Sequence, residues 1–499
     1  MRSWSEPDDD GSDLASSDGS ASDVDTSDDE DFSGVPLVAI SFNITKGIVG
    51  IGILSLPAGV AEGTGLIPAM IILVLMYLAT WSNASGAMKH RETKCFAGRV
   101  WQMRPSWGIL PVLRRPFSPW ISAVQPEAML YTFWSLGRCC EATHCKTHGG
   151  IAFALRKSHV FGSIMEITNI TGTIFGCAGY AIVIGKSSQG LWQSIGVEDG
   201  WYASARGSFV IILCFILLPL CLLRDLSKLA FTSFIGVACE LFVVFFMVCR
   251  YFGGDYHPGG QFYDPKNSAS STGIELFTID SSVFFLVGSC VNAFVAHWNS
   301  PKFYHQLRNR GTRRFLIAVS LGFSMALVLY LVCMAVGYLT FGAHCHGDIL
   351  HNYSAHDDLA SISRVAMLFA TIFGFPINFT GLRTASLTLL GFSSRRRVWV
   401  SVNLVLLTII GILGCTFTDL GLLSALVGGS VGALVTLVYP GLMMMWTYSN
   451  RKDPYIKGVF RAIEGRPLAC ALIAFGCAMA VVGTYQVIRK RLTTSHSSE

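Results

Sequence analysis

Long apolar runs, recurring along most of the chain, dictate what it can become. A helix that crosses a membrane needs about 20 predominantly apolar residues. Such runs fall at 35–59, 66–88, 161–185, 207–223, 231–252, 280–300, 315–341, 361–382, 396–416, 421–447 and 467–488. Hydrocarbon offers no partner to a backbone N–H or C=O, so each run must close its own hydrogen bonds as a helix. The expected fold class is an all-α polytopic membrane protein with about 11 transmembrane helices, spread over residues 34–491. Composition agrees. Only 14% of residues are charged, against roughly a quarter in soluble domains, too few to coat a water-facing surface.

The charge is unevenly placed. Residues 1–33 hold a dense cluster of Asp and Glu with almost no apolar side chain. Such a segment cannot bury enough surface to fold and reads as a disordered acidic cytoplasmic tail. It lacks an apolar signal-peptide core, so the first span is expected to serve as an uncleaved insertion signal. Most of the 37 Lys and Arg lie at 89–160, 224–230, 301–314, 383–397 and 448–466. Alternating the spans from a cytoplasmic tail puts all of these on the cytoplasmic side, as the positive-inside rule requires. The RKR triplet at 489–491 falls on the other face, ahead of a short tail, 492–499. Asn352-Tyr353-Ser354 is a sequon in a loop on the outer or lumenal side, which makes Asn352 a candidate glycosylation site.

Residues 101–157 fit no span. They mix Arg, Pro, Trp and Cys without a period and read as an atypical cytoplasmic insertion, or as a retained intron. Their Cys and His match no standard zinc spacing, so no metal is expected.

A carrier needs polar, non-helical backbone near the membrane midplane, and interrupted helices provide it. The first span reads Asn43-Ile-Thr-Lys-Gly-Ile-Val-Gly-Ile-Gly-Ile-Leu-Ser-Leu-Pro57. Each glycine costs about 1 kcal/mol in a helix relative to alanine, so Gly47, Gly50 and Gly52 weaken one short stretch. If it unwinds, the amides of Gly50, Ile51, Gly52 and Ile53 can meet a carboxylate at the positive end of the next half-helix. Close helix packing on small residues is the competing reading of the same glycines.

Lys46 lies deep in that span, where a lysine costs roughly 2.5–3.5 kcal/mol on insertion scales. It needs a partner; Glu166 in the third span and Glu240 in the fifth are both placed to supply one, and the group is a candidate for proton exchange. The sixth span carries Phe294-Val-Ala-His-Trp-Asn-Ser-Pro301, where His297, Asn299 and Pro301 mark a second interruption or a helix end. Phe294 is expected at the substrate, and His297 is a candidate for gating or proton sensitivity. Gly374 and Pro376 interrupt the eighth span, and Asn378 needs a polar partner there.

Together these segments resemble the amino acid/auxin permease family, within the amino acid–polyamine–organocation carriers. The resemblance rests on Asn43 to Pro57, Leu223 to Gly236, Phe294 to Leu307, Gly337 to Tyr353, Arg364 to Arg383 and Leu423 to Pro440, in that order. It covers 35–100 and 158–450. It implies inverted five-helix repeats with broken helices 1 and 6 and the substrate between them. It implies that the amides of Gly50 to Ile53 hold the substrate carboxylate, that Asn43 matches a sodium-linked position, and that Thr371 lies beside its eighth-span partners. Lys46 departs from the sodium-coupled branch, and its ammonium can take the place of a bound cation. The expected function is secondary active transport of small amino acids, with a proton rather than sodium as coupling ion and no cofactor. A membrane amino acid sensor with little net flux is the alternative. The membrane is the plasma membrane or that of a vacuole or lysosome. No P-loop, HExxH or catalytic constellation argues for an enzyme, and no basic, aromatic-interleaved stripe argues for nucleic acid.

Overall fold

A computed structural model describes residues 34–62, 64–77, 129–197, 199–223, 230–278, 280, 282–390, 396–449 and 466–497. The described elements are helical, and each predicted run carries one. Helix α1 (Leu37–Ile48) and α2 (Gly52–Ala61) are the first span, bent by 47° at the gap between them. Next come α3 (Leu66–Tyr77), α4 (Met129–Thr143), α5 (His148–Arg156), α6 (His159–Ser194), α7 (Ala205–Cys221) and α8 (Ala230–Gly253). The sixth span is α9 (Val283–Phe294), a 3-10 turn at His297–Asn299 and α10 (Ser300–Gln306). Five long helices follow: α11 (Thr312–Phe341), α12 (Asp358–Leu390), α13 (Arg396–Thr416), α14 (Leu420–Thr447) and α15 (Pro467–Arg489). Eight described helices are long and apolar enough to cross a membrane, nine with the bent pair, and α3 and α7 are shorter apolar helices. The acidic tail 1–33 lies outside the described residues.

Burial sorts these spans into an interior and a rim. In their most apolar windows, 72% of residues are buried in the sixth span and in α14, against 28% in α13 and α15. The rim presents large apolar side chains outward, among them Phe215, Val405 and Ile412. On a membrane protein that surface faces lipid rather than water.

The first and sixth spans are both interrupted. Five crossings separate their starts, so the second set of five enters the membrane from the face opposite the first. That parity makes the repeats inverted. The start of the first span also meets the end of the sixth: Val35 and Leu307 form a parallel bridge. There Val35 N–H donates to Gln306 O at 2.9 Å and Arg308 N–H to Val35 O at 3.0 Å.

The stretch 101–157 divides. Residues 101–128 lie outside the described residues, whereas 129–156 form α4 and α5, which are buried among the spans rather than set apart from them. Their location explains why. Helix α3 has 12 residues and α4 has 15, about 18 and 22 Å at 1.5 Å per residue. Either alone falls short of a hydrocarbon core of about 30 Å. They lie in series along α11. Near one end of α11, Tyr338 Oη accepts from Glu275 N, and the adjoining Glu275 O accepts from Leu66 N, where α3 begins. Tyr77, at the other end of α3, is hydrogen-bonded to Ser324 halfway along. Phe133 of α4 then packs on Phe323 and Phe315, and Trp134 Nε1 donates to Thr312 O at the far end. Helices α3 and α4 together therefore have the length and the position of one crossing. Excision of residues 78–128 is expected to yield a protein that inserts and folds like the full chain. Membrane yield and the thermal midpoint of the two forms check this, and an excised form that is degraded contradicts it.

Candidate functional site

The two breaks carry the same backbone turn. Helix α1 stops at Ile48, and Val49 takes φ −74°, ψ 103°; α9 stops at Phe294, and Val295 takes φ −74°, ψ 104°. Each extended residue turns the chain out of its helix and frees carbonyls of the last turn from their intrahelical partners. The breaks lie back to back. A Cβ at Gly52 would come 2.7 Å from Ala293 Cα, and one at Gly50 would come 2.7 Å from the Tyr180 hydroxyl. Neither position has room for a side chain. A cavity of about 450 Å³, counting its open mouth, lies against the first break and is lined by Gly47, Gly50, Ile51, Gly52, Thr173, Tyr180, Asn292, Trp298 and Asn378, among others. None of the residues that line it is charged. Asn378 Nδ2 donates to Tyr180 Oη at 3.2 Å across it.

Behind this wall lies the buried ion pair that the sequence left open. Lys46 Nζ is 2.5 Å from Glu240 Oε1, with side chains 4% and 0% exposed. Glycines make the path for the lysine stem. A Cβ at Gly236 would stand 2.7 Å from Lys46 Cε, and one at Gly374 would stand 3.5 Å from it. Helix α8 supplies both Glu240 and Gly236, one turn apart on one face. The second carboxylate oxygen of Glu240 has no hydrogen-bond partner among the described residues.

The remaining candidate residues scatter. Gly50, Ile51 and Gly52 line the cavity, whereas Ile53 is 2% exposed and absent from its wall. Phe294, expected at the substrate, is 1% exposed and absent from the cavity wall; it is stacked on Phe323 and edge-on to Tyr330 of α11. Asn43 is half-buried one turn before Gly47 on α1 and also lies outside the wall. Thr371 spends its hydroxyl on Met367 O, 2.6 Å away on its own helix. Glu166 accepts from Gly149 N at 2.7 Å and so holds the first turn of α5, while Glu240 is the acid that meets Lys46. His297 is fully buried, with Nε2 2.9 Å from Thr132 Oγ1 and 3.0 Å from Met129 O, which ties the second break to α4. Asn352 is 3% exposed; Nδ2 donates to Asn267 Oδ1 and to His344 O, each at 2.8 Å. A glycan on that nitrogen would displace both bonds, so in the folded loop Asn352 serves structure and the expected glycosylation does not fit.

Sequence reasoning passed over Tyr180 and Tyr330. Their signal is a tyrosine well inside an apolar run, away from either interface where tyrosines are usually found.

A multi-pass membrane protein with a cavity at paired helix breaks is the class this fold and site define. The model of the transmembrane amino acid transporter protein family matches residues 127–489, beginning where the split second span resumes at α4. The chain belongs to that family, whose members are transporters and not enzymes. Similar proteins include the sodium-coupled neutral amino acid symporter 2 of Danio rerio, 25% identical over 49% of this chain and 52% of that protein. The sodium-coupled neutral amino acid transporter 7 of Mus musculus is 21% identical over 70% of this chain and 74% of its own length. The amino acid transporter AVT6E of Arabidopsis thaliana is 23% identical over 89% and 81%. The chain thus spans about half of the first of these relatives and about three quarters or more of the other two. In fold it is similar to the crystal structure of MhsT in complex with L-phenylalanine, with a TM-score of 0.52, 11% identity, and coverage of 90% of this chain and 98% of that one.

Proposed function

We propose that this protein carries small neutral amino acids across its membrane by alternating access, driven by a proton gradient through Lys46 and Glu240. The observation that carries the reading is the interrupted first helix, whose break residues Gly50, Ile51 and Gly52 form part of the wall of a cavity. Peptide amides at the start of α2 suit a carboxylate, because the first N–H groups of a helix lack internal partners and its dipole is positive there. Thr173, Asn292 and Asn378 offer polar atoms to the amino end. An uncharged wall disfavours a charged side chain, since a buried charge needs a partner. The names of the relatives agree with an amino acid substrate.

The proton reading rests on Lys46. Its ammonium and the Glu240 carboxylate form a buried charge pair, which supports exchange of a proton, rather than binding of sodium, as the way this spot changes state. Purified protein in liposomes, given a panel of radiolabelled amino acids, is expected to accumulate small neutral ones under an imposed pH gradient without sodium. Uptake that persists after collapse of the pH gradient but stops without sodium overturns the proton assignment. Binding with no flux under either gradient overturns transport itself and favours the sensor reading, which draws on the acidic tail.

A further inference from the structure

We propose that Tyr330 is the positioning residue that makes the two helix breaks move as one, an inference that rests on the transport reading above. Tyr330 stands on α11 and is fully buried. Its hydroxyl is 2.8 Å from Ile48 O and 2.7 Å from Ala293 O. Ile48 is the last residue of α1, and Ala293 is the last but one of α9. One atom therefore reaches a last-turn carbonyl at each break. The ring is wedged edge-on to Phe294, which fixes where the hydroxyl points.

The chemistry of the contact makes it a coupling device. A phenol has one O–H to donate, and a carbonyl oxygen can only accept. Two buried acceptors thus share one proton. While both breaks stay close, the proton serves either carbonyl. If one half-helix moves away alone, its carbonyl loses the donor while its residue is buried (Ile48 is 4% and Ala293 1% exposed), and a buried unpaired carbonyl is costly. Joint movement, or movement of α11 with them, avoids that state. Gly52 against Ala293 holds the same two segments in register from the other side.

Tyr330→Phe keeps the ring volume and removes the shared proton. In full-length protein reconstituted in liposomes, two quantities are read. One is gradient-driven accumulation, using whichever gradient drives the wild type. The other is counterflow exchange with no gradient. The ratio of accumulation to exchange is expected to fall by roughly tenfold, the weight of one buried hydrogen bond, because breaks that move independently let substrate slip without its driving ion. A purely structural role lowers both quantities together, and an unchanged ratio in folded Tyr330→Phe overturns the proposal.

If that variant does not fold, p-aminophenylalanine in place of Tyr330 decides. Its two N–H donors serve both carbonyls at once, so exchange is expected to slow several-fold while the ratio is kept; exchange at the wild-type rate overturns the proposal. Wild-type protein with no amino acid flux sinks the transport reading instead, so the two failures are distinguishable.

Discussion

Lys46→Met is expected to abolish the pH-gradient dependence of uptake and to destabilise the protein strongly. Both effects come from one pair. Lys46 and Glu240 are almost wholly buried and 2.5 Å apart. Removing one member leaves the other as an uncompensated buried charge, a loss of about 3–5 kcal/mol in comparable pairs. Glu240→Gln should cost a similar amount by stranding the ammonium. The double variant Lys46→Met/Glu240→Gln removes both charges and is expected to recover most of the stability, yet it still has no proton to exchange. Thermal midpoints in detergent and uptake at several imposed pH gradients separate these outcomes. If the double variant folds and remains driven by the pH gradient, the pair is a static strut and coupling lies elsewhere.

The second large effect belongs to Gly52. A single methyl there already meets Ala293 Cα at 2.7 Å, so Gly52→Val must push the first break away from the second. Overpacking of a tight interior costs about 1–3 kcal/mol. Borne by the transport-competent state, that is roughly a 5- to 140-fold loss of flux, at tenfold per 1.4 kcal/mol. Membrane insertion should survive, because the substitution adds apolar volume and removes no hydrogen bond. Gly311→Ala is the matching control: it adds a methyl where nothing lies within 4 Å, well away from the cavity. Full uptake by Gly52→Val would mean that the breaks do not need their close contact.

How much of this was legible beforehand depends on the distance over which each feature is decided. The spans follow from local apolar content, and the first break follows from three glycines within six residues. Both are properties of a short stretch. The partner of Lys46 is not. Glu166 and Glu240 are both intramembrane acids, and only the packing of α8 against α1, with Gly236 clearing the lysine stem, selects Glu240. Phe294 lies outside the cavity wall for a related reason. Its place beside the break was right, but its face is set by the extended turn at Val295, which points it at α11. The second span was hidden because its two halves are separated in sequence. Hydropathy scanning sees 66–88 and an irregular stretch, whereas α11 shows α3 and α4 occupying one track. Tyr330 shows locally only its place deep in an apolar run; its acceptors are backbone atoms from distant segments, which no short stretch reveals.

The bridge between Val35 and Leu307 has one more implication. Its two bonds run from main chain to main chain, so exchanging most side chains there cannot loosen it, save at Gly34, where a Cβ would crowd Arg308. Water is the natural competitor for those amides. The ease with which that end parts is then governed by local hydration, and it should respond to osmotic stress more than to the identity of neighbouring residues.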